Sequence, residues 1–384
     1  MNKTAADIAL RNDPRVPARP LGFPHLPPPV PTASVDGAFS EVALRVRALA
    51  ADTWGAPRVV EMVGQHPSYV GLLAKLQKVA AYDEPVLISG ESGSGKESLA
   101  QAIYLLGSRR AKPYVVVNCP QYQDGNLTVS ELFGHTRGSF TGATTDRKGC
   151  FETGNGGVIF LDEIADLHMS AQVMLLRALA SGEFQPLGSD STRSVNVRVV
   201  AATNRALEQL IVAQQFRHDL FLRLHYFMLR VPPLRERGDD WLVLLDFRLF
   251  RLRQKYGVAK KFSRDALDRL AAYHWPGNVR QLNSLATSGY AMAEGDTIRL
   301  ADFETQLDVG GGVMVGANGS AFFYDQAVPI VANLVLALRD GVPRAVTDIL
   351  AMVDPASTDI VTRLLRDLVG AGALFADVPS DRGV

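Results

Sequence analysis

A stretch of twelve residues, Val86 to Glu97, constrains this chain more than any other part of the sequence. It opens with an apolar run, Val86–Ile88, that predicts a buried strand, and it leads through a glycine-rich turn into a helix-forming run. Gly90, Gly95 and Lys96 stand at the spacing of a phosphate-binding loop, in which backbone N–H groups and a helix N-terminus face one anion. The predicted nucleotide-binding residues are Gly90, Glu91, Ser92, Gly93, Ser94, Gly95, Lys96 and Glu97.

Glu97 departs from the generic loop, in which a serine or threonine follows the lysine and binds magnesium. Metal coordination therefore has to involve another carboxylate, and the apolar run 157–161 ends on two of them, Asp162 and Glu163. We expect Asp162 to hold Mg²⁺ through water and Glu163 to polarise the attacking water, since phosphoryl transfer depends mainly on positioning and charge neutralisation. The alternative is an acid pair that favours the dipole of a following helix.

The bulk composition excludes several classes of protein. The 384 residues include 40 basic and 40 acidic side chains, so net charge gives no argument for a nucleic acid or a membrane partner. The two cysteines, Cys119 and Cys150, form no CxxC pair and suit a reducing compartment as buried thiols. We expect a cytoplasmic protein without a membrane partner, because no apolar run reaches the length of a membrane span and the N-terminus lacks a signal-peptide core.

The chain divides into five predicted regions. Residues 1–56 form a proline-rich leader, expected to be largely disordered, with one amphipathic helix over 38–51. Residues 57–237 alternate strands and helices, which predicts an α/β core with a parallel sheet wrapped by helices. The polar ends of strands at 86–88, 114–118, 157–163 and 196–204 should meet at one edge of that sheet.

The remaining regions follow the core. Residues 238–307 predict a helical lid with helices over 242–256, 263–273 and 278–293, the second of them N-capped by Ser263. Residues 308–320 are rich in glycine and predict a linker, and residues 321–384 form a small C-terminal unit.

The most specific motif is Gly138–Ala143, which reads GSFTGA within ELFGHTRGSFTGA. Here the chain resembles the bacterial enhancer-binding proteins, AAA+ ATPases that activate sigma-54 RNA polymerase and whose hallmark loop reads GAFTGA. Ser139 replaces the family's alanine, whereas Glu97 matches a glutamate that the family usually carries. The resemblance extends over roughly residues 60 to 305 through GESGSGKE (90–97), VNC (117–119), FLDEI (160–164), AATNR (201–205), FRHDLFLRL (216–224), VPPLRER (231–237) and WPGNVRQL (275–282).

The resemblance implies that nucleotide state raises or lowers this loop and that Phe140 and Thr141 touch the sigma-54 RNA polymerase holoenzyme. From the residues alone, a phenylalanine at a glycine-hinged tip needs a contact, and the alternative is a Phe140 that packs into the core. The direction in which the Ser139 hydroxyl changes the coupling stays open. The predicted partner-binding residues are Gly138, Ser139, Phe140, Thr141, Gly142 and Ala143.

The resemblance also implies roles for two asparagines at strand ends. Asn118 matches the glutamate-switch residue, whose amide would hold Glu163 away from the water until the substrate engages. Asn204 matches the sensor that reads the terminal phosphate. Their alternatives are a turn residue and a capping asparagine, respectively. His135 precedes the GSFTGA motif, and we assign it no catalytic role.

Three arginines receive roles by the same resemblance. Arg217 and Arg223 match paired arginine fingers, which would reach the ATP of a neighbouring subunit and offset charge on the transferring phosphoryl group. Arg280 matches the lid arginine that contacts phosphate within its own subunit. Arginines acting between subunits imply a ring, and the family implies a hexamer with a heterologous, closed interface. The alternative for Arg217 and Arg223 is an ordinary surface ion pair.

The C-terminal unit does not show the helix-turn-helix pattern with which this family commonly ends. Helices predicted over 345–352 and 357–369, followed by a glycine-rich stretch at 370–372, loosely resemble a winged helix that presents Thr358, Thr362 and Arg363 to DNA. Between residues 344 and 384, however, four arginines face six aspartates, a net charge of −2 (4 − 6), whereas DNA-binding faces are normally positive. Promoter or enhancer DNA and a protein-docking or oligomerisation role both remain open for residues 321–384.

The sequence as a whole predicts an ATP-hydrolysing, ring-forming activator of sigma-54 transcription. Two other hypotheses are an AAA+ ATPase that remodels a different protein and a DNA-binding regulator with little ATPase activity.

Overall fold

The computed structural model of the chain describes residues 37–121, 125–304, 306–307, 313–315 and 321–323. Its centre is a five-stranded parallel sheet with the strand order β2-β3-β6-β1-β7. Between β3 and β6 in chain order, two short strands, β4 and β5, pair antiparallel as a separate hairpin. The strands are β1 (Val86–Ser89), β2 (Tyr114–Asn118), β3 (Val158–Asp162), β4 (Glu183–Phe184), β5 (Arg193–Ser194), β6 (Arg198–Thr203) and β7 (Phe227–Arg230).

Helices cover both faces of the sheet because its central strands are apolar on both sides. In β1, Val86 and Ile88 enter one apolar cluster and Leu87 enters the other. The same alternation runs through β3 and β6, so the sheet separates two hydrophobic layers. The helices of this core are α1 (Glu41–Trp54), α2 (Pro67–Ala80), α3 (Lys96–Leu106), α4 (Gly125–Phe133), α5 (Cys150–Thr153), α6 (Met169–Ser181), α7 (Leu207–Val212) and α8 (His218–Leu224).

A helical lid follows the core, as the sequence predicts. It contains α9 (Asp240–Tyr256), α10 (Arg264–Ala271) and α11 (Asn278–Met292). Two short strands, β8 (Lys261–Phe262) before α10 and β9 (Thr297–Ile298) after α11, pair in parallel. Ser263 stands at the N-cap of α10, although its hydroxyl makes no capping hydrogen bond. The predicted fold, a parallel α/β core with a helical lid, is confirmed.

Some sequence predictions change at the ends of the described chain. Strand β10 (Val313–Val315) pairs antiparallel with β11 (Ala321–Phe323), so part of the stretch predicted as a linker, 308–320, is a strand. The glycine-rich composition of this stretch favours a linker prediction, because glycine is depleted in strands and three residues are too few to show an alternating pattern. The predictions for the leader before residue 37, and for the helices and wing of the C-terminal unit, lie outside the described residues.

Helix α1 lies at Glu41–Trp54, where the sequence predicts a helix over 38–51. Its N-cap is Ser40, whose hydroxyl accepts a hydrogen bond from the backbone N–H of Ala43 at 3.3 Å. Trp54 at its other end stacks on Tyr104 of α3, with ring centroids 5.8 Å apart.

A buried ion pair joins the start of the lid to the chain that enters the core. Arg237 and Asp240 are each only 2% exposed, and Arg237 Nε donates to Asp240 Oδ2 at 2.8 Å. Asp240 Oδ1 also accepts hydrogen bonds from the backbone N–H groups of Gln65 and His66, at 2.7 and 2.9 Å. Nη2 of Arg237 donates to the carbonyl of Val63 at 2.8 Å, so the pair is also hydrogen-bonded to the backbone on both sides.

We predict that Asp240→Asn lowers the free energy of unfolding by about 3–5 kcal/mol, because it leaves the Arg237 charge buried without its counter-ion. Urea denaturation monitored by circular dichroism measures the change. The matched control is Asp268→Asn, which breaks an ion pair with Arg264 that is 63% and 88% exposed and should therefore have little effect. Equal losses in the two variants would contradict a special role for the buried pair.

Candidate nucleotide site and partner loop

The phosphate loop adopts the geometry that its glycines permit. Gly93 and Gly95 have φ of +74° and +101°, and Gly95 directly precedes α3. A left-handed backbone is easily reached by glycine and is strained for other residues, which explains glycine at these two turns. Helix α3 begins at Lys96, so the positive end of the helix dipole faces the loop.

Lys96 closes the loop from inside. Its ammonium group donates to the carbonyl of Gly90 at 3.0 Å, lies 3.4 Å from that of Glu91, and is 3.2 Å from a carboxylate oxygen of Glu163. Only 7% of the side chain is exposed. The ammonium group of Lys96 therefore lies inside the phosphate loop, with two loop carbonyls and the Glu163 carboxylate as its partners.

Two carboxylates stand at the end of β3, as the sequence predicts. Glu163 contacts Lys96 through one oxygen and accepts a hydrogen bond from the backbone N–H of Asn204 through the other, at 2.9 Å. Burial, reinforced by the charge of Glu163, raises the pKa of Asp162, whereas Lys96 opposes the shift. Glu163 stands at the N-cap of a three-residue 3₁₀ turn, Ile164–Asp166, and its carboxylate makes no capping hydrogen bond to that turn.

The same cleft carries the donors that magnesium prefers. Glu97, Asp162 and Glu163 all line a cavity of about 420 Å³ together with Lys96. Both Glu163 and Glu97 raise the pKa of Asp162 by charge repulsion, and a divalent cation would relieve this repulsion. The donor set therefore fits Mg²⁺, with Asp162 as its predicted ligand.

Asn118 lies at the end of β2, directly beside Asp162 in the strand register. Within the described part of the chain its amide makes no hydrogen bond to Glu163, whose carboxylate is held by Lys96 and Asn204 instead. The structure therefore shows the glutamate on the lysine side of the cleft, and the glutamate-switch contact is not formed.

The lid approaches the phosphate loop through the N-terminus of α11. Arg280 donates from Nη1 to the Ser92 hydroxyl at 2.8 Å and from its backbone N–H to the carbonyl of Gly93 at 3.3 Å. A side chain at position 93 would begin 2.4 Å from the carbonyl oxygen of Gly277, so the glycine is required for this close packing as well as for its φ.

Asn278 connects the lid, the loop and the end of the core, and sequence reasoning missed it. It is fully buried, and its amide nitrogen lies 3.1 Å from both a Glu91 carboxylate oxygen and the carbonyl of Ser92. Its amide oxygen accepts from the backbone N–H of Leu234 at 2.7 Å. Its φ is +50°, a left-handed conformation that asparagine adopts more readily than most residues, so the residue type was the one hint that the sequence offered.

Arg235 also contacts Glu91: its two terminal guanidinium nitrogens donate to the two carboxylate oxygens, at 2.9 and 2.6 Å. The guanidinium, followed by the amide of Asn278, holds the pKa of Glu91 below its ordinary value. Glu91, predicted as a nucleotide-binding residue, therefore has its carboxylate engaged by the lid side of the structure.

The two predicted arginine fingers lie on α8, away from the cleft of their own chain. Arg217 pairs with Asp219 at 2.7 Å on the surface, which is the ion pair that the alternative reading anticipates. Arg223 Nε and Nη2 donate to the carbonyls of Leu179 and Ala180, both at 3.3 Å. Neither arginine lines the cavity around Lys96.

The partner loop, which we define as Gly138–Ala143, forms a compact turn. The Gly138 N–H donates to the carbonyl of Ala143 at 2.8 Å, and the Ala143 N–H donates to that of Phe140 at 3.0 Å. Thr141 and Gly142 at its tip are exposed, whereas Ala143 is buried. Phe140 is half-buried, so it is neither displayed at the tip nor fully packed into the core.

His135 supports this loop, a role that sequence reasoning missed because only the position of the residue before the motif pointed to it. The ring centroids of His135 and Phe140 are 5.0 Å apart in an edge-on arrangement. The histidine is 9% exposed, and its Nδ1 lies 2.6 Å from the Ser130 hydroxyl. Its backbone exchanges hydrogen bonds with Arg147 at 3.0 and 2.9 Å, which fixes the ring under the loop.

Comparison with known proteins identifies the two parts of this structure. Residues 62–230 match the sigma-54 interaction domain, and residues 235–312 match an AAA+ ATPase lid domain. The crystal structure of NtrX from Brucella abortus in complex with ADP superposes with a TM-score of 0.60 and 26% identity, covering 81% of this chain and 67% of that one.

Curated relatives agree with these matches. The nitric oxide reductase transcription regulator NorR1 of Cupriavidus necator is 48% identical over 223 residues, which are 58% of this chain and 43% of that protein. The Nif-specific regulatory protein of Azotobacter vinelandii is 42% identical over 237 residues, or 62% of this chain and 45% of that protein. The chain thus spans about half the length of the curated relatives that it matches. On the strength of both domain matches and these relatives, the chain belongs to the bacterial enhancer-binding proteins, the family of sigma-54-dependent transcriptional activators.

Proposed function

We propose that this protein is an ATPase that assembles as a hexamer and remodels the closed promoter complex of sigma-54 RNA polymerase through its partner loop. The observation that supports the proposal best is the meeting of Lys96, Glu163 and the Asn204 backbone within 3.2 Å at the carboxyl edge of the sheet. These groups are held on rigid strands and on a helix N-terminus, as phosphoryl transfer requires.

In the proposed reaction, Lys96 leaves the Gly90 and Glu91 carbonyls and contacts the phosphates of ATP. Asp162 would hold Mg²⁺, which would supply neutralisation of the phosphate charge. Glu163 orients the attacking water and accepts its proton, and Asn204 contacts the terminal phosphate. Asn118 would draw Glu163 away from Lys96 when the substrate is not engaged, which requires a rotation from the position seen here.

The placement of the arginines supports the proposed ring. Arg280 reaches the loop of its own chain, whereas Arg217 and Arg223 lie outside that cleft and would serve the ATP of a neighbouring subunit. Only a heterologous interface that closes on itself brings each α8 to the next cleft, so we propose a homo-hexamer. ATP binding by the NtrX relative, which was crystallised with ATP, supports the choice of nucleotide.

The partners and organisation of the protein complete the proposal. The core spans 57–237 and the lid 238–307, and residues 321–384 would contact promoter or enhancer DNA or another protein. None of the helices in the described part of the chain combines the length and apolar character needed to cross a lipid bilayer. We propose a cytoplasmic location, where sigma-54 polymerase acts.

We predict that Glu163→Gln lowers ATP turnover by at least about 100-fold, since an amide cannot accept the proton of the attacking water. Nucleotide binding should persist, because the substitution leaves Lys96 and the N-terminus of α3, which would contact the phosphates, unchanged. Phosphate release and fluorescent-nucleotide titration measure the two quantities. As a control, Asp166→Asn alters an exposed carboxylate that pairs with Arg205 near the same strand end. Retained turnover in Glu163→Gln would contradict its role as the base.

We predict that Arg217→Ala and Lys96→Ala are each inactive alone and recover turnover when mixed. In a mixed ring, a cleft with an intact Lys96 can face a neighbour with an intact Arg217, and random mixing gives about one such interface in four. ATP turnover of equal mixtures measures the recovery. The control is Arg264→Ala, which removes an exposed lid arginine from an ion pair within its own helix. A fully active Arg217→Ala, or a mixture without recovery, would argue against catalysis between subunits.

We predict that Thr141→Ala abolishes promoter opening by sigma-54 polymerase while ATP turnover stays within about twofold of wild type, because the exposed tip lies outside the cleft. Permanganate footprinting on a supercoiled template measures opening. Thr144→Ala removes an exposed threonine just beyond the loop and serves as the control. Opening by Thr141→Ala, or an active ATPase that never opens the promoter, would favour an ATPase that remodels a different protein. Absence of turnover in the wild type would favour a DNA-binding regulator.

A further inference from the structure

The Ser139 hydroxyl is buried without a hydrogen-bond partner among the described residues. The backbone N–H of the same residue donates to the carbonyl of Thr136 at 3.2 Å, which keeps the side chain on the inner side of the turn. A hydroxyl that leaves water without a new partner destabilises the conformation that buries it. The compact form of the partner loop therefore carries an unfavourable contribution from the one residue that differs from the family motif GAFTGA.

The surface that buries Ser139 is the tip of the β4–β5 hairpin. A Cβ atom added to Gly188 would lie 2.5 Å from the Ser139 Cβ and 2.9 Å from the Thr136 hydroxyl oxygen. The Thr136 N–H and hydroxyl both donate to the carbonyl of Leu187, at 3.0 and 3.3 Å. Since nothing larger than glycine fits at position 188, the loop and the hairpin are packed as closely as their backbones allow.

Two conformations of the partner loop can therefore be compared. In the docked form, seen here, the loop packs on the hairpin; in the released form it is surrounded by water. The turn hydrogen bonds and the Phe140 contact with His135 favour the docked form. The Ser139 hydroxyl favours the released form, because water satisfies it there and nothing described does so in the docked form. An alanine at the same position would fill the contact without this penalty.

We propose that Ser139 is a positioning residue that weakens docking of the partner loop on the β4–β5 hairpin, and that Gly188 is the contact that permits docking. The shift in the ratio of docked to released loop, relative to alanine at position 139, is on the order of tenfold, as expected for one buried unpaired hydroxyl. The consequence for sigma-54 rests on the proposed function, in which the released loop is the form that reaches the polymerase.

Hydrogen exchange of the nucleotide-free, full-length protein tests the proposal without any polymerase. The reporters are the amides of Gly138 and Ala143, which are hydrogen-bonded in the docked turn and whose own and preceding side chains are unaltered by a change at 139. Ser139→Ala should slow their exchange by about tenfold. Gly188→Ala should accelerate it, because the added methyl group collides with Ser139.

Two controls separate these effects from general changes. Ser191→Ala removes an exposed serine from the same hairpin and should leave exchange in the partner loop unchanged. Gly156→Ala places alanine at a φ of +80°, close to the +76° of Gly188, with no atom within 4 Å of the new methyl group, and so isolates backbone strain from the collision.

Unchanged or faster exchange in Ser139→Ala would overturn the proposal, even if polymerase activation were intact. Slower exchange in a protein that nevertheless never engages sigma-54 would support the docking inference and contradict the proposed function. In a protein that does activate polymerase, Ser139→Ala should also weaken nucleotide-free binding of sigma-54, measured by fluorescence anisotropy, by a factor similar to the change in exchange.

Discussion

The hydrogen bonds of the Asn278 side chain are the interaction on which the arrangement of this molecule depends. One buried amide contacts the phosphate loop at Ser92 and Glu91 and the backbone at Leu234, where the core ends. Because the Asn278 side chain is fully buried, loss of one of its hydrogen bonds would leave part of its amide group without a partner and away from water, so loop and lid hold each other in place. The orientation of Arg280 above the loop follows from this junction, since both residues belong to the first turn of α11.

The partner loop is held by a different kind of contact. It relies on a few backbone hydrogen bonds, one edge-on ring contact with His135, and close backbone packing against Gly188. The loop buries fewer apolar side chains than the sheet does, so it belongs to the part of the fold that opens most easily. The segment between β2 and β3 carries it, and those strands end at Asn118 and Asp162, so a change at the cleft has a short covalent path to the loop.

The sequence predicted the phosphate loop, the carboxylates of β3 and the lid helices, because each is encoded by a local pattern of apolar spacing or glycine. Strand β7 was missed, since its four residues directly follow a helix of similar apolar character. Asn278 and His135 were missed because their roles arise from partners far away in the chain or across a turn. Whether the Ser139 hydroxyl has a partner depends on the hairpin at Gly188, about fifty positions later, and no local pattern reports it.

The backbone of Glu163 has φ +50° and ψ +54°, a conformation that glycine or asparagine adopts with less strain. Glutamate is therefore strained at this backbone position, which indicates that the residue is kept for its carboxylate and not for the stability of the fold. Under selection for thermal stability, replacement of Glu163 by glycine or asparagine would relieve this backbone strain, and the contacts of its carboxylate with Lys96 and the Asn204 backbone would be lost in exchange.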